Sequence, residues 1–143
     1  MSMKNKIFKK AKELNLNLDK VRIDRLNEAQ LREICVGLYY GIDVTKFSFS
    51  CIPAANMRQL RLMELSGFDC TPYRLYFSEK QLEQIYLGMI SKVDYNLYNK
   101  IYIDSEDMKV LREDLTAKLT KQLVVSYYET MCDKGSDFLC ITV

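Results

Sequence analysis

The chain has no histidine and no tryptophan, and only two prolines and five glycines among its 143 residues. Without histidine, nucleophilic acyl chemistry of the Ser-His or Cys-His type lacks its base. No G-x-x-x-x-G-K-[ST] or G-x-G-x-x-G string occurs, so the loops that cradle phosphates are absent. No apolar run approaches the ~18 residues that a membrane span needs, and none of signal-peptide length follows the basic N-terminus. The expected setting is cytoplasmic, with no membrane partner. Cys35, Cys51, Cys70, Cys132 and Cys140 are odd in number, scattered, and never in C-x-x-C spacing. They read as free thiols acting as small core hydrophobes, and no metal or cofactor is expected. Nothing marks two carboxylates as convergent, so the chain reads as a protein without catalytic activity.

What the chain does have is repetition. Leu26 to Phe47, Ile52 to Tyr73 and Phe77 to Tyr98 are versions of one another, and a shortened start follows at Ile103. Gln30, Asn56, Gln81 and Asp107 correspond, as do Ile34, Leu60, Ile85 and Leu111, at spacings of 26, 25 and 26. A fixed period in the twenties is the mark of stacked repeats. The length predicts one domain: an N-terminal capping unit over 1–25, three repeats over 26–103, and a C-terminal helix and cap over 104–143.

Each repeat predicts a helix. Asn27 with Gln30 and Ser78 with Gln81 have capping-box spacing, Asp104 with Asp107 approximates it, and Pro53 suits a helix start by its fixed φ. Apolar residues then follow at 4, 7, 11 and 15 positions past the cap: Leu82, Ile85, Met89 and Val93 in the third repeat, Leu31, Ile34, Leu38 and Ile42 in the first. That is a helical stripe of twelve to fourteen residues. Gly41 and Gly67 stand where the helix should end, and Lys92 stands there in the third repeat. Gly37 and Gly88, in mid-helix, predict close approach of a neighbouring backbone. Asp43, Asp69 and Asp94, each four residues before an aromatic ring, predict a further short turn. In residues 5–23, Ile7, Ala11, Leu14 and Leu18 share a helical face, and Leu18-Asp19 before Ile23 matches Ile42-Asp43 before Phe47 at a spacing of 24. The lysines around them suit the polar outer side of a terminal repeat.

From Asp104 onward the apolar spacing is mostly four, which predicts a helix over about 105–132 ended by Lys134-Gly135. The alternative is a helix stopping near Lys118 and a β-hairpin of residues 123–130 and 137–143, because residues 123–128 are rich in strand formers. The fold class is therefore all-α, a small solenoid-like stack with a longer C-terminal helix, with the hairpin as its variant.

Reading down the repeats places Arg32, Arg58, Glu83 and Lys109 in one column and Cys35, Arg61, Tyr86 and Arg112 in another three residues on. Residues three apart share a helical face, so Arg32, Arg58, Arg61, Tyr86, Lys109 and Arg112 predict one basic ridge carrying an aromatic. Such a ridge either grips a partner or pairs with acids on the next repeat and stabilises the stack. Residues 1–26 carry a net charge of +5, and Lys9 and Lys10 extend the basic surface there; residues 104–143 carry −3. Tyr39, Tyr40, Tyr76, Tyr95 and Tyr102 offer a second surface.

The strings QLREICVGLYYGIDV and QLEQIYLGMISKVDY resemble degenerate repeats of the form Q-M-x-x-I-R-x-G-L-x-x-G-L-D-V-x-x-Y, found in proteins of bacterial mobile elements and phages. The likeness spans about residues 26–115. Arg61 and Arg112 match the arginine of that pattern, and Cys35 and Tyr86 replace it. The resemblance implies a small accessory protein of a mobile element, with inhibition of a host defence complex (anti-CRISPR or antirestriction type) as one form. The expected partner is a protein; the alternative is nucleic acid, held by the basic N-terminus and the arginines.

Overall fold

The computed structural model describes residues 1–133, and within them the chain forms five α-helices and four single-turn 3₁₀ helices, with no strand. The helices are α1 (Met3–Glu13), α2 (Glu28–Tyr39), α3 (Ala54–Leu65), α4 (Glu79–Ile90) and α5 (Ser105–Asp133). Each packs on the next one in sequence, α1 on α2 through to α4 on α5. That nearest-neighbour order is the signature of a solenoid. Residues 123–130 lie inside α5, so they are not a hairpin strand; periodicity of four overrides their strand propensity. The expected helix stop at Lys134-Gly135 and residues 137–143 lie outside the described residues.

The repeat helices begin as their capping residues dictate. Asn27 Oδ1 accepts from Gln30 N at 2.8 Å while Gln30 Oε1 accepts from Asn27 N at 2.9 Å. Ser78 and Gln81 make the same reciprocal pair. Asp104 keeps half of it, accepting from Asp107 N, and Pro53 caps α3 with no side-chain bond at all.

The cap amides also hold the next repeat. Gln30 Nε2 donates to the carbonyls of Ser50 and Ile52 at 3.1 and 2.7 Å, and Gln81 Nε2 to those of Ile101 and Ile103 at 3.2 and 2.8 Å. Each buried glutamine thus ties the start of its own helix to the loop that delivers the following one. In the middle repeat Pro53 has no N–H to satisfy, and the shorter Asn56 makes a single donation, to Phe77 O at 3.0 Å.

The first four helices end alike, with a left-handed residue: Asn15 (φ +56°), Gly41 (+76°), Gly67 (+88°) and Lys92 (+59°). The following N–H in each case reaches back to a carbonyl five residues earlier, Leu16 to Ala11, Ile42 to Gly37, Phe68 to Met63 and Val93 to Gly88, the Schellman closure. Lys92 adopts the glycine conformation, at a steric cost glycine avoids.

This closure also corrects the register of the N-terminal unit. Asn15 and Leu16 stand 26 residues before Gly41 and Ile42, so Asn17, not Asp19, occupies the aspartate column. Asn17 Oδ1 accepts from Asp19 N at 2.8 Å, as Asp43 Oδ1 does from Thr45 N, Asp69 Oδ1 from Thr71 N and Asp94 Oδ1 from Asn96 N. An amide oxygen serves this turn as well as a carboxylate, and so the Leu-Asp string misleads.

After the aspartate comes the 3₁₀ turn (Val44–Lys46, Thr71–Tyr73, Tyr95–Leu97) and a buried ring, Phe47, Tyr73 or Tyr98. These rings explain the mid-helix glycines. A Cβ on Gly88 would overlap the Tyr98 hydroxyl and lie 3.0 Å from Cζ; one on Gly37 would lie 2.7 Å from Val44 Cγ1. A side chain of the same repeat fills the space, rather than a neighbouring backbone. Tyr98 Oη donates to Gln84 O at 2.9 Å across that gap. Where Met63 replaces glycine, Tyr73 is instead met by Asn99 Nδ2 at 3.1 Å.

The stripe residues Leu31, Ile34, Leu38, Met57, Leu60, Leu82, Ile85, Met89 and Met108, joined by Met63 from the glycine column, lie in the buried core, each such side chain contributing about 1.5–3 kcal/mol. The ring-to-cap distance is six residues after Phe47 and after Tyr98 but five after Tyr73. That missing residue makes the 25-residue period, and the shortened loop turns with Tyr76 at φ +76°.

Candidate functional site

The two basic columns separate by depth. Arg32, Arg58, Glu83 and Lys109 are exposed, whereas Cys35, Arg61, Tyr86 and Arg112 are half-buried between helices. Arg61 Nε meets Glu33 Oε2 of the preceding repeat at 3.2 Å, with side chains 12% and 22% exposed. Arg112 Nε donates to Gln84 Oε1 at 3.0 Å, and Tyr86 Oη shares a hydrogen bond with Ser66 Oγ at 3.3 Å. One column stitches the stack and the other faces water, so the predicted single ridge is not formed. Three residues turn a helix by about 300°, so the second column lies about 60° round from the first, and here that turn carries it into the groove against the adjacent helix.

The outer column is not uniformly basic. Arg32 pairs with Glu28 at 2.8 Å, and Glu33 and Glu79 line the same 240 Å³ depression as Arg32 and Arg58. Arg58 and Lys109 make no ion pair within the described residues. On α1, Lys10 pairs with Glu13 at 3.3 Å and stands 6.0 Å from the Tyr39 ring centroid, and Lys9 is exposed.

One charged cluster was not foreseen. Lys46 Nζ lies 2.9 Å from Glu64 Oε1 and 3.4 Å from Asp69 Oδ1, and Glu64 Oε1 also accepts from Cys70 N at 2.9 Å. Its signal was present in the sequence, because Glu64 sits in the column that holds Leu38 and Met89. The hydrogen bond from Lys46 to Glu64 holds the lysine pKa above its ordinary value. Asp69 is held below the usual carboxylate range, first by the Thr71 hydroxyl. Burial pushes the Cys70 thiol up to about 12, which makes it a core hydrophobe rather than a nucleophile. The cluster joins the turn of one repeat to the helix of the next, a structural task.

Among the described residues no three Asp, Glu or Cys side chains gather into a metal-holding group, and no helix is long and apolar enough to cross a membrane. Asp43, Asp69 and Asp94 are occupied as turn caps.

The loop edge of the stack is different in character. Tyr76 and Tyr102 are 86% and 82% exposed, and Leu75 and Ile101 beside them are also exposed. The two loops are one repeat apart, about 10 Å at usual helix spacing. Of the other tyrosines, Tyr39 and Tyr40 stack edge-to-face on each other at the end of α2, and Tyr95 is half-buried against Phe68 at 6.5 Å. Tyr76 combines high exposure and a left-handed backbone, and among the described residues its ring and hydroxyl make no hydrogen bond or ring contact.

Comparison with known proteins finds no matching family model, no matching curated protein and no matching solved structure.

Proposed function

We propose that the chain is a non-enzymatic protein-binding repeat module that meets its partner along the loop edge formed by Leu75, Tyr76, Ile101 and Tyr102. The observation that carries this is Tyr76. A left-handed tyrosine costs about 1–2 kcal/mol, and its ring offsets none of that by burial. A large exposed aromatic beside apolar neighbours is a common anchor of a protein interface. Nucleic acid fits less well, because the arginines that would grip phosphates are either paired or interleaved with Glu28, Glu33, Glu79 and Glu83. On the resemblance of its repeats, we place the protein among accessory proteins of mobile elements, acting by occluding a protein surface such as that of a host defence complex.

The test is quantitative affinity capture from cells that make the protein, comparing wild type with Tyr76→Gly and with Tyr102→Ala. Tyr76→Gly removes both the ring and the backbone strain, so it should raise stability and lose the partner together. A partner retained at full yield by both variants would refute this edge. Capture that is lost steeply with salt and restored by nuclease-resistant DNA or RNA would place the function on nucleic acid instead.

A further inference from the structure

We propose that the protein pairs with a second copy of itself, tail to tail, through the face of α5 formed by Leu123, Val124, Tyr127 and Tyr128 and bordered by the half-buried Leu119 and Met131. The first half of α5 is the last unit of the stack, with Met108 buried and Leu115 and Leu119 packed against the core. Every residue from Thr120 to Thr130 is exposed, including Leu123 at 63% and Tyr127 at 59%. At about 100° per residue, the six named side chains fall on one half of the helix surface together with Thr120 and Thr130, while Lys118, Lys121, Val125 and Glu129 fall on the other. A helix half covered by leucine, valine and tyrosine is built to be covered.

A second copy fits this face for three reasons. The order of the fold is that each helix packs on the next, and α5 has no successor among the described residues, so the α5 of a second copy supplies the missing neighbour. The acidic excess of the C-terminal unit sits in residues 104–114, whereas residues 118–133 carry two lysines against Glu129 and Asp133 and are neutral. Two such halves meet without like-charge repulsion, and a two-fold pairing closes on itself. The opposite end of the stack cannot take this role, because α1 presents Lys4, Lys6, Lys9 and Lys12 to solvent, and a head-to-tail contact would propagate rather than close. An antiparallel pair would withdraw on the order of 500 Å² per copy, about 1,000 Å² in all, which is the lower bound for a specific interface.

Sedimentation equilibrium on the full chain over ~1–100 µM, the affinity range of small interfaces, tests the pairing. Wild type should reach twice the chain mass, and Leu123→Glu/Tyr127→Glu should fall to the single mass with unchanged helical circular dichroism. A single mass for wild type at every concentration overturns the proposal, and is the outcome expected if residues 134–143 or another protein cover α5. A double variant that keeps the doubled mass overturns it as well. Should that variant lose its fold, the wild-type melting temperature decides: it rises with protein concentration for a pair and is constant otherwise.

Discussion

Replacing Gly88 by alanine should destabilise the protein, although alanine is the better helix former. Helix propensity alone favours the change by about 1 kcal/mol. Against this, the new methyl group occupies the position of the Tyr98 hydroxyl and lies 3.0 Å from Cζ. Tyr98 is wholly buried and donates to Gln84 O, so the ring has nowhere to shift within the core. Overpacking a buried site costs about 1–3 kcal/mol, which leaves a net loss of up to about 2 kcal/mol. The Tyr98→Phe change separates this cause from any general intolerance of the site. In wild type it removes one buried hydrogen bond and should cost about 1 kcal/mol. In the Gly88→Ala background it removes the overlapping atom and should instead restore stability. Urea unfolding of the four proteins, followed by far-ultraviolet circular dichroism, measures the coupling. A Gly88→Ala variant more stable than wild type, or a Tyr98→Phe effect of the same sign in both backgrounds, would refute the fitted ring.

Lys92→Gly should stabilise the protein by about 1 kcal/mol, since only there does a repeat helix close on a left-handed residue with a long side chain, while Gly41→Ala and Gly67→Ala should destabilise it by a similar amount. Thermal melts of the three variants rank them, and a neutral Lys92→Gly would contradict the Schellman closure. Gln81→Leu leaves Ser78 N–H and the Ile101 and Ile103 carbonyls without their partner and should cost about 3 kcal/mol, with faster amide exchange at Ser78 as the local readout. Alkaline stability follows from burial: the Cys70 thiol and the Tyr98 phenol are both pushed up to about 12, and Tyr73 is raised by burial as well. Groups raised in the folded state favour folding below their unfolded values, so the urea midpoint should hold to about pH 9 and then fall towards pH 12. Cys70→Ala should remove the earliest part of that fall, and an unchanged profile in this variant would show the thiol to be uninvolved.

Most of the fold was legible because the repeats agree with one another. Caps, stripe and closing residue recur in fixed order, so Pro53 or Lys92 could be placed by column even where its chemistry differs. Three things were not legible, for physical reasons. Periodicity gives the face of a helix but not the depth of its groove, and so Arg61 and Arg112 were grouped with Arg58 although neighbouring helices half cover them. The glycine columns showed that space was needed, but not that Val44 and Tyr98 of the same repeats fill it. The triad of Lys46, Glu64 and Asp69 joins residues from two repeats, and only the acidic Glu64 in an apolar column hinted at it. Of the candidate site, Tyr76 and Tyr102 were visible as tyrosines, but the significance of Tyr76 depends on a backbone angle in the one loop that is a residue shorter.

The buried amides of Gln30 and Gln81 have a consequence for how such a chain can change in length. Each reads the loop one repeat downstream, through main-chain carbonyls that any residue supplies. A duplication or loss of one whole repeat, cut within those loops, leaves every amide opposite a carbonyl, whereas a cut of any other length strands a buried donor. The seam therefore tolerates change in units of one repeat and penalises slippage by a residue or two, a grammar in which whole words can be added but single letters cannot.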